Sequence, residues 1–252
     1  MDYDRVGARY DDEAVRQRDA DPVLTALCRA RGCGDGAGMR VLDIACGTGI
    51  QLVANARRLP GLAQYGLDLH EAMLRAAQAK AGAIDWIRGD AAALPFAAAS
   101  FDFVSAQYCF HHVQDKPAML RGLARVLRPG GQAALVNIAP WRMPDWEVYR
   151  YFPGAFMRDA VDFWREDRIA AELTRHGLSV EIAYRDRRRV HDLRERLAFY
   201  KERDSPSQVV ALSDADFAAG IRRIEAALAA SGDRKVTSVS HSCTATICAS
   251  KA

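Results

Sequence analysis

An α/β fold built around a parallel sheet is what this 252-residue sequence predicts. Three observations predict it. The apolar run Val41 to Ile44 carries Asp43 and passes into small residues with two glycines, Gly47 and Gly49. That is the pattern of a buried parallel strand entering a tight turn at the ligand edge of a sheet. A second strand from Ala63 ends in Asp68, roughly twenty residues further on, the spacing at which an acid meets ribose hydroxyls in βαβ nucleotide sites. Segments with helical apolar spacing alternate with such runs as far as residue 140.

Composition sets the outer bounds. Half the residues are hydrophobic, enough for one large domain or one domain with an inserted cap. No run of eighteen apolar residues exists, so no membrane span is expected. The opening Met1-Asp-Tyr-Asp-Arg has no apolar core and is not a secretory signal, which leaves a cytoplasmic protein as the expectation. Six cysteines at 28, 33, 46, 109, 243 and 248 form no Cys-x-x-Cys pair. Reduced thiols, not a zinc ribbon or redox pair, are expected. The net charge of +3 does not call for a nucleic-acid partner. The basic cluster Arg185, Arg187, Arg188 and Arg189 reads as a solvated face.

The elements follow in order. Asp21-Pro22 starts a helix, with Asp as N-cap and Pro in the first turn, and Leu24, Leu27 and Cys28 give it an apolar stripe. Glycines from Gly32 to Gly38 link it to the first strand. After Gly49, a helix over 50–59 is expected to face inward with Leu52, Val53 and Ala56. Its N-terminus suits a carboxylate. The strand ending in Asp68 precedes a helix from His70 bearing Met73, which would pack on a ligand or in the core. A third strand over 84–87, a fourth over 101–106 and a fifth over 132–138 complete the regular part, with a Pro117 helix between the last two.

Two loop chemistries are excluded. A dinucleotide fingerprint needs Gly or Ala where Leu52 stands, and a phosphate-binding Walker loop needs a Gly-Lys pair followed by Ser or Thr, which the chain lacks.

Four segments in order carry a resemblance: Arg40-Val-Leu-Asp-Ile-Ala-Cys-Gly-Thr-Gly49, Leu94-Pro-Phe-Ala-Ala-Ala-Ser-Phe-Asp102, Phe110-His-His-Val113 and Arg125-Val-Leu-Arg-Pro-Gly-Gly131. Together they resemble the class I, Rossmann-like S-adenosylmethionine-dependent methyltransferases, and among these the ubiquinone/menaquinone-type small-molecule branch (methyltransferase type 11). Ala45 stands where the first glycine is commoner, and His70 where serine is usual. The family's Pro-Pro motif for exocyclic base amines is missing after the fourth strand.

The resemblance implies a seven-stranded, mostly parallel sheet with an antiparallel last strand, helices on both faces and helical cap insertions. It implies an N-terminal helical segment or lid at 1–37, a cofactor-binding core at 38–140 and a substrate-side segment with a core helix and strand at 141–189. A helical cap insertion at 190–232 and the last strand at 233–252 would follow.

S-adenosyl-L-methionine is the implied cofactor and a small molecule the implied acceptor, with no metal. The implied cofactor contacts are Asp43, Ala45, Cys46, Gly47 and Gly49 in the loop; Asp68, Leu69 and Met73 after the second strand; Gly89, Asp90 and Ala91 after the third; and Gln107 and Phe110 after the fourth. Arg9 and Tyr10 would touch its methionine end if the first residues fold over it; otherwise they belong to a frayed leader.

Methyl transfer from a sulfonium needs a base only where the nucleophile starts protonated. His111, His112 and Tyr151 are the candidates, with packing as the other role for the histidines. The aromatic segment with Trp141, Trp146, Tyr149, Tyr151 and Phe152 would line an apolar substrate pocket or plug the cap. Val190, Leu193, Leu197 and Tyr200 are expected on one buried face of the first of two cap helices; Ser213 would cap the second. RNA or protein methylation, and cofactor binding without transfer, are the alternative functions.

Overall fold

The computed structural model describes residues 18–81, 83–203, 206–232 and 234–252. Arg9 and Tyr10 lie outside the described residues. The chain divides into two compact units. One holds the described residues up to Asn137 together with Glu166–Ala183 and Thr246–Ala252; the other holds Ile138–Arg165 and Tyr184–Ala245.

The strands are β1 (Arg40–Ile44), β2 (Ala63–Asp68), β3 (Asp85–Arg88), β4 (Phe101–Gln107), β5 (Leu127–Ile138), β6 (Leu178–Asp192) and β7 (Thr237–Lys251). They form one sheet in the order β3-β2-β1-β4-β5-β7-β6. β1 lies parallel to β2 and β4, β2 to β3, and β4 to β5. Ser179 Oγ donates to the Ser250 carbonyl, and Asp186 meets His241 further along. Numbers therefore rise on β6 as they fall on β7, so this last pair is antiparallel.

After β1 the chain moves outward through β2 to β3, then returns to the other side of β1 for β4 and β5. The order reverses between β1 and β4. In open α/β sheets the carboxyl ends at such a reversal frame the ligand crevice. Val41, Leu42 and Ile44 are fully buried, as a central strand covered on both faces requires.

Helices α1 (Pro22–Ala30), α2 (Ile50–Arg58), α3 (Glu71–Gln78) and α4 (Lys116–Val126) accompany these strands. Asp21 caps α1 by accepting from the amides of Val23 and Leu24. Leu24, Leu27 and Cys28 then join Met39, Val41, Leu52 and Phe103 in one core cluster.

Leu52 faces inward as expected and Val53 packs half-buried against the same core, but Gln51, Ala54 and Asn55 are buried on α2 as well. Two polar side chains turn inward because they bond the segment before α1. Gln51 Nε2 donates to the Asp19 carbonyl at 2.9 Å, and Asn55 Oδ1 accepts from the Asp21 amide at 2.8 Å.

The remaining helices are α5 (Glu147–Tyr151), α6 (Pro153–Asp162), α7 (Glu166–Arg175), α8 (Leu193–Lys201), α9 (Ser207–Val210) and α10 (Asp214–Ser231). The unit holding α5, α6, α8, α9 and α10 has its own core of Val148, Tyr149, Tyr151, Phe152, Leu193, Tyr200, Ile224 and Leu228. Tyr149, Tyr151 and Phe152 of the aromatic segment are thus core residues of that unit.

Ser213 caps α10 as expected, accepting from the Asp216 amide. Val190 departs from expectation: it lies on β6 and is 68% exposed. β6 runs on through the arginine cluster because it is the last strand of the sheet, where charged side chains remain in water and discourage further pairing.

All six cysteines are free. Among the described residues, no helix is long and apolar enough to cross a membrane, and no cluster of His, Cys, Asp or Glu is arranged to hold a metal ion.

Candidate active site

A cavity of about 490 Å³ opens at the carboxyl ends of β1, β2, β3 and β4, within the range of small-ligand sites. Ala45 and Gly47 of the first loop line it, with Asp68, Leu69 and Met73 after β2. Gly89, Asp90 and Ala91 after β3 form another wall. Gln107, Tyr108, Cys109 and His112 come from the end of β4, and Val113, Gln114 and Asp115 continue the rim.

Backbone geometry shapes the loop. Ala45 sits at φ 55° and Gly47 at φ 55°, both in the left-handed region. A side chain there costs roughly 1–2 kcal/mol, so the position filled by Ala45 is one that favours glycine. A Cβ built on Gly47 would meet nothing within 4 Å; its bare backbone faces open space where a ligand can approach. Gly49 serves another purpose. A Cβ there would lie 2.3 Å from Trp86 Cη2, and one on Gly66 2.6 Å from Trp86 Cε3. The indole packs against both bare backbones, and Gly49 is not part of the cavity wall.

Asp68 fastens the loop. Its Oδ2 accepts from the Gly47 amide at 2.8 Å, and its Oδ1 from the His70 amide at 2.9 Å. A carboxylate offers about four lone-pair directions, so two remain for a ligand. Lys80 of the α3 end holds the loop from the other side, donating to the Thr48 carbonyl at 2.8 Å.

Asp43 is buried behind the loop and does not line the cavity. Ser105 Oγ donates to its Oδ1 at 2.6 Å. Burial pushes the Asp43 carboxyl up to about 7; the Ser105 hydrogen bond opposes this, while nearby Asp21 and Asp68 add to it.

The sign of the resulting pH dependence follows. The unfolded chain ionises this acid near 3.8, and the folded chain holds the proton longer. Asp43 therefore subtracts stability progressively as pH rises from about 4 to about 7, and the loss is complete above that. An Asp43→Asn variant escapes the loss. Its melting temperature relative to the native protein should rise across this window, measured by thermal scans at pH 5, 6, 7 and 8. A difference independent of pH would contradict the assignment.

Cys46 and Cys109 flank Asp43, and burial pushes both thiols up, keeping them protonated and poorly nucleophilic. The Cys46 sulfur lies against Gly66, and Cys46 is not part of the cavity wall.

The two histidines separate in environment. A short 3-10 turn, Phe110–His112, turns the His112 ring to the cavity, while Phe110 is buried and His111 is not in the wall. His111 Nδ1 lies 3.1 Å from Asn137 Nδ2. An amide nitrogen only donates, so Nδ1 accepts and the ring proton sits on Nε2. Burial, with His112 and Lys116 nearby, lowers His111 to about 3 and keeps it neutral. Lys116 clasps the turn from α4, donating to the Val113 carbonyl at 2.7 Å and the His111 carbonyl at 3.3 Å. Tyr151 belongs to the other unit, buried in its core at 7% exposure.

Sequence reasoning missed several of these supports. Ser105, Lys80 and Asn137 act on groups 62, 32 and 26 residues away that the fold brings close, and Lys116 bonds carbonyls three and five residues before it; no motif marks any of them.

Comparison with known proteins agrees with the fold. Residues 41–131 match the model of a methyltransferase domain family. A demethylmenaquinone methyltransferase from Listeria monocytogenes is 32% identical over 149 residues, 55% of this chain and 63% of that protein. A 2-phytyl-1,4-naphtoquinone methyltransferase from Synechococcus elongatus is 42% identical over 108 residues, 40% of this chain and 46% of that one. The chain thus spans under two thirds of the length of these curated relatives.

Among solved structures, a putative methyltransferase of an antibiotic biosynthesis pathway from Anabaena variabilis superposes with a TM-score of 0.67 at 19% identity, covering 93% of this chain and 99% of that one. A putative sarcosine dimethylglycine methyltransferase from Galdieria sulphuraria gives 0.60 at 18% identity, covering 100% and 99%. At such identity the likeness is one of fold. Glycine loop, acid after β2 and strand order together agree with the sequence match: residues 41–131 match a methyltransferase domain and carry the parallel strands of a Rossmann-like sheet.

Proposed function

We propose that this protein transfers a methyl group from S-adenosyl-L-methionine to a small-molecule acceptor. One observation carries the reading. Asp68 spends one lone pair of each oxygen on loop amides and keeps two directions beside the bare backbone of Gly47, in a cavity of about 490 Å³. A vicinal ribose diol matches that acceptor pair. A dinucleotide would also bring a ribose, but the loop lacks the third small residue of the dinucleotide fingerprint, Leu52 standing in its place.

In this reading Asp90 accepts from the adenine amino group, Leu69 and Met73 form the apolar walls, and the Gly47 backbone meets the carboxylate end. The bound cofactor supplies an electrophilic methyl on a sulfonium whose leaving group needs no acid. The protein's part is then to align the acceptor, exclude water and receive a proton where the acceptor starts protonated. His112 suits that last role better than His111, whose Nδ1 is engaged by Asn137 and whose basicity burial removes. The Listeria and Synechococcus relatives are named for quinone-type substrates, so a reduced quinone or phenol is the first acceptor class to test.

His112→Ala should lower turnover about a hundredfold with a protonated acceptor and leave cofactor affinity within about threefold. His111→Ala should act through stability instead. Parallel loss of turnover and affinity in His112→Ala would make that residue a packing group. The reading as a whole is tested by calorimetric titration with S-adenosylmethionine and, separately, NADH. Saturable binding of the first alone is expected; binding of NADH alone, or of neither, overturns it.

A further inference from the structure

We propose that Asp21, the N-cap of α1, is a positioning residue for the cofactor: it fixes which end of the Gln107 carboxamide faces the cavity. The inference rests on the function proposed above and names a residue outside the cavity wall.

Asp21 is 2% exposed and accepts at both carboxylate oxygens. Its Oδ1 caps α1 at Val23 and Leu24, at 2.9 and 3.2 Å, and its Oδ2 accepts from Gln107 Nε2 at 3.1 Å. A carboxylate can only accept hydrogen bonds, so it holds the amide nitrogen toward itself. Gln107 lines the cavity. One N–H is committed to Asp21 and turns the nitrogen end toward it, so the acceptor the carboxamide has left for a ligand is its carbonyl oxygen. S-adenosylmethionine carries an ammonium and a sulfonium, and an acceptor in the wall favours such a cation where an amide NH₂ repels it.

The placement of Asp21 is itself held from α2. The Asp21 amide donates to Asn55 Oδ1, and Gln51 Nε2 donates to the same oxygen and to the Asp19 carbonyl. α2 begins at the glycine loop, so the helix that carries the loop also sets the cap that orients Gln107. This explains why α2 buries two amides beside its apolar side chains.

The test compares two substitutions that both remove the charge and both preserve an N-cap, Asp21→Asn and Asp21→Ser. In Asp21→Asn the side-chain oxygen serves the cap and the NH₂ faces Gln107. That NH₂ captures the Gln107 oxygen and turns the Gln107 NH₂ to the cavity. In Asp21→Ser the hydroxyl caps α1 and falls short of Gln107, which is left free to offer either end.

Calorimetric titration with S-adenosylmethionine should therefore show about tenfold or greater weakening for Asp21→Asn and about threefold or less for Asp21→Ser, with melting temperatures of the two variants close together. Adding Gln107→Glu to Asp21→Asn restores an acceptor-only group between the asparagine NH₂ and the cavity, and should recover most of the affinity. Equal weakening in the two single variants, or no recovery in the double, overturns the proposal and leaves Asp21 a helix cap. If the unsubstituted protein fails to bind S-adenosylmethionine, it is the cofactor reading that has failed.

Discussion

Asp68→Ala is expected to weaken S-adenosylmethionine binding by about a hundredfold or more while the protein stays folded. Each hydrogen bond from a ribose hydroxyl to a carboxylate contributes roughly 1.5–3 kcal/mol. Two are lost together in this variant. The truncation also strips the Gly47 and His70 amides of their acceptor, so the loop loses the tie that sets its shape before the ligand arrives. Water can reach those amides through the open cavity, which limits the cost to stability. Asp68→Asn separates the two effects. Its single side-chain oxygen can keep one amide, but its NH₂ faces the other as a second donor, so binding should fall nearly as far. Calorimetric titration gives the affinity and circular dichroism checks the fold. Affinity near that of the native protein in Asp68→Ala would remove the carboxylate from the site, and with it the case for a ribose-bearing cofactor.

The parts of this site legible in the sequence are those in which a backbone constraint demands a residue type. The turn after β1 needs left-handed φ at Ala45, Gly47 and Gly49, and small residues appear there in a row. An acid at the end of β2 and caps at Asp21 and Ser213 are local as well. What escaped was contact across long separations. Asn55 and Asp21 stand 34 residues apart, and Gln107 and Asp21 86 apart; nothing near either residue signals the partner. Arg125 is a further case: it donates to the Leu94 and Phe96 carbonyls, 31 and 29 residues away, and so fixes the Leu-Pro-Phe segment. Amphipathic periodicity also misplaced Val190, because an edge strand with charged neighbours looks like a helix face when tertiary context is unknown. Telling His111 from His112 required the 3-10 turn itself. Adjacent residues with one chemistry acquire different environments only once the backbone direction is fixed.

Glu147 shows the same limit in the other unit, and its removal should have the second large effect. No motif marks it, yet it is 1% exposed and serves three donors. Tyr200 OH and Ser238 Oγ reach it at 2.7 Å each, and Arg196 Nε bonds the oxygen shared with Tyr200. Arg196 Nη2 closes the ring by donating to Tyr200 OH at 2.8 Å. The group thus ties α5, α8 and β7 with charge and hydrogen bonds inside an apolar core. Taking away one partner of a buried ion pair destabilises by about 3–5 kcal/mol, because the other charge stays buried without compensation. Glu147→Ala should therefore lower stability by about that amount, out of the 5–15 kcal/mol typical of a folded domain. Glu147→Gln keeps the shape and an acceptor for Tyr200 or Ser238 but leaves Arg196 without a counter-charge, so it should fall between alanine and the native protein. Glu147→Ala combined with Arg196→Met removes both charges and should recover part of the loss, since an apolar pair often replaces a buried ion pair without penalty. Urea unfolding of the three variants measures all of this. A loss below about 1 kcal/mol in Glu147→Ala would mean that water reaches Arg196 as soon as its partner is gone.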